Sequence, residues 1–281
     1  MGNHGSPDIK NAITHSCDGY FYRLGLKMGL DGIIAMAEEF DLNKRTGIDL
    51  PNEVTSRTPG EFKTILDRRN QEWKDIDTVF ASFGQVYEEM TPISMLRTVA
   101  AIGQGTKLFV PHLLKEIRPV GQPGQTDYSA GRGFEPLDPD KPNPKMLTIP
   151  EDIHHAVVEG MWSVVNAGGT GAGIRMAGFD IAGKTGTAQV VGLGKDTGKN
   201  KDHSWFVSYA PAYKPEIAMI ALIENSGFGG QHAAPAVRRV YDVYYRKTRN
   251  AEPPGAVPVA KSPKPPEPTK KPAETIAQTQ G

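Results

Sequence analysis

The sequence predicts an α+β fold, an antiparallel sheet flanked by helices, and three observations carry that prediction. Capped, amphipathic helical segments dominate the first two thirds of the chain. Two strand-like runs, "HSWFVSYA" and "EIAMIALI", then follow across the short turn "PAYKP". A helical stretch, "APAVRRVYDVYY", closes the ordered part. Alternating βαβ units would need helical crossovers of a dozen or more residues between strands, and no such apolar stripe lies between Thr185 and Glu216.

The elements follow in order. Asp8 precedes Ile9, Ile13, Tyr20, Phe21 and Leu24, which read as one or two helices broken near Ser16–Gly19, and Asp31 is placed to cap a helix through Phe40. In "TPISMLRTVAAIG", Thr91 stands at an N-cap, Pro92 in the first turn, and Gly103 at the stop. "IPEDIHHAVVEGMWSVVNAGG" repeats the scheme, with Ile153, Val157, Met161 and Val165 on one face and Gly168 at the end. The Pro/Gly-rich stretch from Pro119 to Pro144 reads as a surface loop. Trp205, Val207 and Tyr209 alternate with Phe206 and Ser208, the period of a strand, and the aromatic residues of this set are expected in the core. The continuous apolar run "EIAMIALI" predicts a buried strand. Residues 1–248 are assigned to one domain and 249–281 to a disordered tail, because eight prolines and almost no large apolar side chain lie between Ala251 and Gly281.

Lys plus Arg (32) equals Asp plus Glu (32), so no global field argues for a nucleic-acid partner. No run reaches the roughly 18 apolar residues of a membrane span, and no signal-peptide pattern follows Met1. The single cysteine, Cys17, leaves no internal disulfide to form.

"GFDIAGKTGT", Gly178 to Thr187, matches two incompatible signatures. From Gly178 it reads G-x-x-x-x-G-K-T, a phosphate-binding P-loop, and the acidic Glu224 after "IAMIALI" stands where such a site would want a second carboxylate. A P-loop needs a buried strand before the first glycine and a helix beginning at the lysine. "GGTGAGIRMA" before and "GTAQVVGLG" after supply neither. From Lys184 the same stretch reads K-T-G-T, which needs a strand bordering a cleft, and "IAGKTGTAQVV" fits a strand. On this reading Gly178 and Gly183 are turn glycines feeding the strand, with Ala188, Val190 and Val191 continuing it.

Ser16-Cys17-Asp18 in "AITHSCDGYFYRLGLKMGLDGI", "TGIDLP" with Glu53, "SFGQ" with "TP", "AGKTGTAQ", "HSWFVSYAP" and "GG-x-x-AAP" occur in one order. Taken together they resemble the class B penicillin-binding proteins of the elongation type, the D,D-transpeptidases of the penicillin-binding protein 2 group, over Gly2 to Tyr245. That resemblance implies the penicillin-binding transpeptidase or serine β-lactamase-like fold. It also implies an enzyme in which the serine of an S-x-x-K motif attacks a D-Ala carbonyl of a peptidoglycan stem peptide. By position in the motifs, Ser16 would relay a proton and Asp18 would hydrogen-bond substrate or the catalytic lysine. Lys184 would supply positive potential; Thr185, Gly186 and Thr187 would bind the substrate, with the Thr187 N–H in the oxyanion hole. Stem peptides and β-lactams are the implied ligands, and a membrane glycosyltransferase and elongation-complex proteins the implied partners. The implied location is the inner membrane, with the catalytic domain in the periplasm.

No serine in the chain has a lysine three positions on. The nucleophile and the membrane anchor are therefore expected upstream of Met1, and the 281 residues alone are expected to be inactive. No cofactor is required by this chemistry. Some members of the resembled family hold a zinc ion, and His4 and Cys17 match two of its ligands; the other ligands are absent from the chain. His154 and His155 read as surface or packing residues, while His203 reads equally as a structural residue or a substrate contact. Alternatives from the same fold are a serine β-lactamase or a β-lactam sensor; others are a non-catalytic scaffold and a P-loop NTPase.

Overall fold

The computed structural model describes residues 5–114, 144–190 and 200–255. The Pro119–Pro144 loop, apart from Pro144, lies outside the described residues, as do Val191 and the tail beyond Gly255.

Helix α1 (Ile9–Thr14) starts where Asp8 accepts the Asn11 N–H at 2.7 Å. It stops because Ser16 turns into the left-handed region at φ 50°, which closes a tight turn through Cys17 N–H to the Ala12 carbonyl. Helix α2 (Asp18–Glu39) begins two residues later and is interrupted at Gly29 (φ 71°, ψ 171°). The break falls at glycine because that backbone conformation excludes a Cβ. Asp31 therefore sits in the first turn of the second half rather than at its cap.

Two helices escaped the sequence reading. Helix α3 (Pro59–Arg68) follows Thr58, whose N–H and hydroxyl both donate to Glu61, a T-x-x-E signature with Pro at the first turn. Helix α4 (Asp75–Ala81) has Asp77 accepting the Lys74 N–H at 2.8 Å. Helix α5 (Pro92–Gly103) runs as read, with Thr91 at its N-cap. Strands β1 (Lys107–Leu108) and β2 (Lys145–Met146) form a small antiparallel pair. Helix α6 (Glu151–Asn166) buries Met161 and Val165 as expected, but Ile153 in its first turn is exposed.

The main sheet is an antiparallel meander of β3 (Ala182–Ala188), β4 (His203–Ala210) and β5 (Ile217–Ile223), in that order. Its registers pair Lys184 with Val207 and Val207 with Ile220. Helix α7 (Ala233–Arg249) is the last helix among the described residues. Side chains alternate across a strand. Tyr209 meets Gly103 of α5, while Ser208, on the opposite face, bonds the Tyr241 hydroxyl of α7 at 3.0 Å. Thus α5 covers one face and α7 the other, and β4 is buried on both. Ser204 and Ser208 are tolerated there because each is hydrogen-bonded, Ser204 donating to the Phe228 carbonyl and accepting from the Ala233 N–H.

Two burial expectations change. Strand β5 is mostly half-buried, with Met219 alone fully buried, because it is the outer strand among the described residues. Trp205 is half-buried rather than core, whereas Phe206 and Tyr209 are fully buried. Strand β3 ends at Ala188, so Val190 lies beyond it.

Candidate active site

The α1–α2 turn and strand β3 meet at one hydrogen bond. The Lys184 Nζ donates to the Ser16 Oγ at 2.5 Å, joining side chains 168 residues apart, and donates also to the Thr185 carbonyl at 2.9 Å. The left-handed Ser16 is what aims its hydroxyl out of the helix junction toward the strand. Burial pushes the Lys184 ammonium down to about 8, against the opposing attraction of Asp18, the first residue of α2. The lysine at this junction therefore exchanges its proton near neutral pH, with a hydroxyl in hydrogen-bond reach. That is what a proton relay needs.

Strand alternation separates the remaining members of the motif. Lys184 shares a face with Val207, whereas Thr185 and Thr187 lie on the other face, with Phe206 and Ser204. The Thr185 Oγ1 is 2.7 Å from the Thr170 Oγ1 in the loop after α6. The Thr187 carbonyl accepts from the Gln85 amide at 2.9 Å. Gln85 does not belong to β4, so this carbonyl points away from the sheet. The N–H of the same residue points to the same side in an antiparallel strand. The Thr187 N–H thus faces the open side of β3, where an oxyanion donor belongs.

Glycines let the backbone layers close on this strand. A Cβ on Gly229 would fall 2.2 Å from the Trp205 carbonyl oxygen and 2.5 Å from that of Gly186. One on Gly230 would fall 2.4 Å from the Thr170 carbonyl. The "GG" before α7 is thereby explained: it presses against the K-T-G strand. Gly183 is corrected in the same way. It lies within β3, where a Cβ would fall 2.8 Å from atoms of Phe206 and Ser208 and from the Val207 carbonyl oxygen, so it is a close-approach glycine; only Gly178 (φ 76°) is a turn glycine. Gly229→Ala is expected to lower stability by about 1–3 kcal/mol, because backbone atoms cannot step aside as side chains do. Gly173→Ala, with nothing within 4 Å, serves as its control in urea unfolding; equal midpoints for the two variants would refute the close-packing account.

The structure brings Ser16 and Asp18 to Lys184, while Thr185, Gly186 and Thr187 follow on the same strand with the two threonines on its other face. His4 lies outside the described residues. Cys17, a free half-buried thiol, sits at the N-cap of α2. Among the described residues no three His, Cys, Asp or Glu side chains cluster as a metal site requires. The His203 Nδ1 accepts the Asn225 N–H at 3.0 Å, which gives it a structural role at the β4–β5 end. The His154 Nε2 donates to the Ile102 carbonyl, a packing contact between α6 and α5. The P-loop reading fails because Lys184 is inside a strand and no helix starts there. Sequence reasoning missed contacts from Thr170, Gln85, Gly229 and Gly230, although the last three stand in segments that carried the resemblance.

Residues 1–242 match the penicillin binding protein transpeptidase domain. A Haemophilus influenzae protein, "Peptidoglycan D,D-transpeptidase MrdA", is 32% identical over 252 residues, covering 86% of this chain and 37% of that protein. The Pseudomonas aeruginosa PBP2 crystal structure, in complex with WCK 5153, superposes with a TM-score of 0.68 at 30% identity, over 89% of this chain and 50% of that one. PBP2 from Helicobacter pylori, in complex with MreC, gives a TM-score of 0.66 at 27% identity, over 86% of this chain and 41% of that one. The chain spans a little over a third of the length of the curated relative it matches. With the S-x-D and K-T-G motifs joined through Ser16 and Lys184 and residues 1–242 matched to the domain, the chain belongs to the penicillin-binding protein transpeptidase family.

Proposed function

We propose that these residues form one wall of the cleft of a peptidoglycan D,D-transpeptidase acting in cell-wall elongation. The observation that carries this reading is the Lys184–Ser16 hydrogen bond, which joins the S-x-D and K-T-G motifs at one point. The nucleophile is the serine of an S-x-x-K motif, which the 281 residues do not contain. Its oxygen attacks the penultimate D-Ala carbonyl carbon, and the carbonyl oxygen takes the negative charge beside the Thr187 N–H. The C–N bond then breaks, and the nucleophile's proton reaches the leaving D-Ala amine through the Ser16 hydroxyl and Lys184. An amine of a second stem peptide attacks the resulting ester, releases the serine, and forms the cross-link.

Asp18 holds the charge balance at Lys184. Charged Lys184 and the Thr185 and Thr187 hydroxyls receive the substrate carboxylate. This chemistry needs no cofactor. A zinc ion on His4 and Cys17 would need two further ligands, and no step is assigned to it. No helix of the described residues is long and apolar enough to cross a membrane. The place of action is the periplasmic face of the inner membrane, with a glycosyltransferase and elongation-complex proteins as partners. The Helicobacter pylori relative solved in complex with MreC supports a partner of that kind by similarity.

The test is covalent labelling of the intact gene product by a fluorescent penicillin. A stable label, slowed about 100-fold or more in Ser16→Ala, is the expected outcome. Absence of any label sinks the reading, and rapid hydrolytic release of the label points to a β-lactamase instead.

A further inference from the structure

We infer that Gln85 is a positioning residue for the oxyanion strand, a role that rests on the transpeptidase reading above. Its side chain makes two bonds to the open edge of β3: Nε2 donates to the Thr187 carbonyl at 2.9 Å, and Oε1 accepts the Gln189 N–H at 3.4 Å. A carboxamide carries the same donor and acceptor as a peptide group. Gln85 therefore caps the open edge as one unit of a neighbouring strand would, without occupying the rest of it.

The loop that presents Gln85 is held in an unfavourable shape. Gly84 has φ 80° and Val86 has φ 65°, so a β-branched residue occupies the left-handed region immediately after Gln85. Such a conformation persists only where the surroundings over-determine it. Here they do. Gln85 N–H bonds the Phe80 carbonyl at 3.1 Å, the Tyr87 N–H bonds the Gln85 carbonyl at 2.7 Å, and Tyr87 is anchored through its hydroxyl to Asp77 at 2.6 Å. Ser82, at the start of the loop, lies so close to Gly25 of α2 that a Cβ there would meet it at 2.3 Å. The loop is thus braced on α4 and α2, and its reach ends at two successive peptides at the end of β3.

That contact matters because the Thr187 N–H and carbonyl belong to the two peptide planes that hinge at the Thr187 Cα, and in an extended strand both point to the same edge. Among the described residues the β3–β4 ladder ends at the Ala188–His203 pair, so Gln85 holds the chain where the ladder stops. Holding the carbonyl fixes the Thr187–Ala188 peptide and so restricts the Thr187 backbone to the extended form that turns its N–H to the open edge, and holding the Gln189 N–H fixes the strand two residues on. Gln85 touches neither nucleophile nor oxyanion, and it acts through Thr187.

The experiment measures penicillin acylation of the intact gene product, separating reversible binding from the acylation rate. Gln85→Ala is expected to slow acylation about tenfold while leaving the reversible binding constant within twofold. Gln85→Glu keeps the acceptor for Gln189 but places a carboxylate oxygen against the Thr187 carbonyl. Its acylation rate, divided by that of the parent at each pH, is expected to be low at pH 8 and to recover toward one near pH 4–5, as the protonated carboxyl regains a donor. Amide hydrogen exchange across 183–190 is expected to quicken in Gln85→Ala whether or not the protein acylates. A parent that never labels, with faster exchange in Gln85→Ala, would remove the transpeptidase reading but leave the clamp. A labelling parent with both variants within twofold of it, or Gln85→Glu impaired equally at every pH, would overturn the positioning role.

Discussion

Replacing Lys184 by methionine is expected to slow penicillin acylation of the intact gene product by about 10²–10³-fold, the range seen when one preorganised electrostatic donor is removed. The loss is not one of folding. Lys184 is a half-buried cation whose burial opposes its charge, so the methionine variant should unfold at a temperature no lower than the parent's at pH 7. The pH dependence follows from the same burial. The lysine loses its proton at about 8 in the folded protein, against an ordinary value of 10.5. Between those two values the unfolded chain holds a proton that the folded one has released, so this group's contribution to stability improves as pH rises through that window. Below about 8 its full desolvation cost applies. Acylation runs the other way: the charged form receives the substrate carboxylate, so the rate should fall as pH rises through about 8. Lys184→Arg, which does not titrate there, should lack that limb. A descending limb retained in the arginine variant would assign it to another group.

Arg238→Met is expected to destabilise the protein by about 3–5 kcal/mol, read as a lower midpoint in urea. Arg238 and Asp242 stand one turn apart on α7 and are both buried, with Nε to Oδ1 at 2.8 Å. The remaining guanidinium nitrogens donate to the carbonyls of Ile174 at 3.1 Å, Arg175 at 2.6 Å and Pro254 at 2.7 Å. Methionine fills the volume but leaves a buried carboxylate without its counter-charge and three carbonyls without a donor. Arg238→Met with Asp242→Leu should recover part of the loss, since the unpaired charge goes too, while the carbonyls stay unpaired. A cost below about 1 kcal/mol for the single variant would refute the account. Because Arg238 also ties down the chain after α7, at Pro254, the described body continues past the helix end at Arg249.

Elements with local signals were legible in the chain. Thr91 with Pro92, the alternation in "HSWFVSYA" and the break at Ser16–Gly19 each rest on interactions within a few residues. Helix α3 was equally legible, since Thr58, Pro59 and Glu61 spell a capping box, but the surrounding polar residues masked it. Burial was less so. Whether an apolar run is a central or an outer strand depends on what lies beside it, and β5 has β4 on one side only among the described residues.

The residue types of the site and the strand under K-T-G-T were determined by the sequence alone, because hydroxyl, carboxylate and ammonium chemistry and a two-residue period are local properties. The tertiary structure alone decided which of them meet. It placed the Ser16 hydroxyl on Lys184 across 168 residues, turned the Thr187 N–H to the open edge, and set Gln85 against that edge. It also gave the glycines their reasons: Gly183 and Gly229 are small because other backbones pass within 3 Å of where a Cβ would stand. Contacts of that kind depend on packing between distant segments, and no spacing along the chain encodes them.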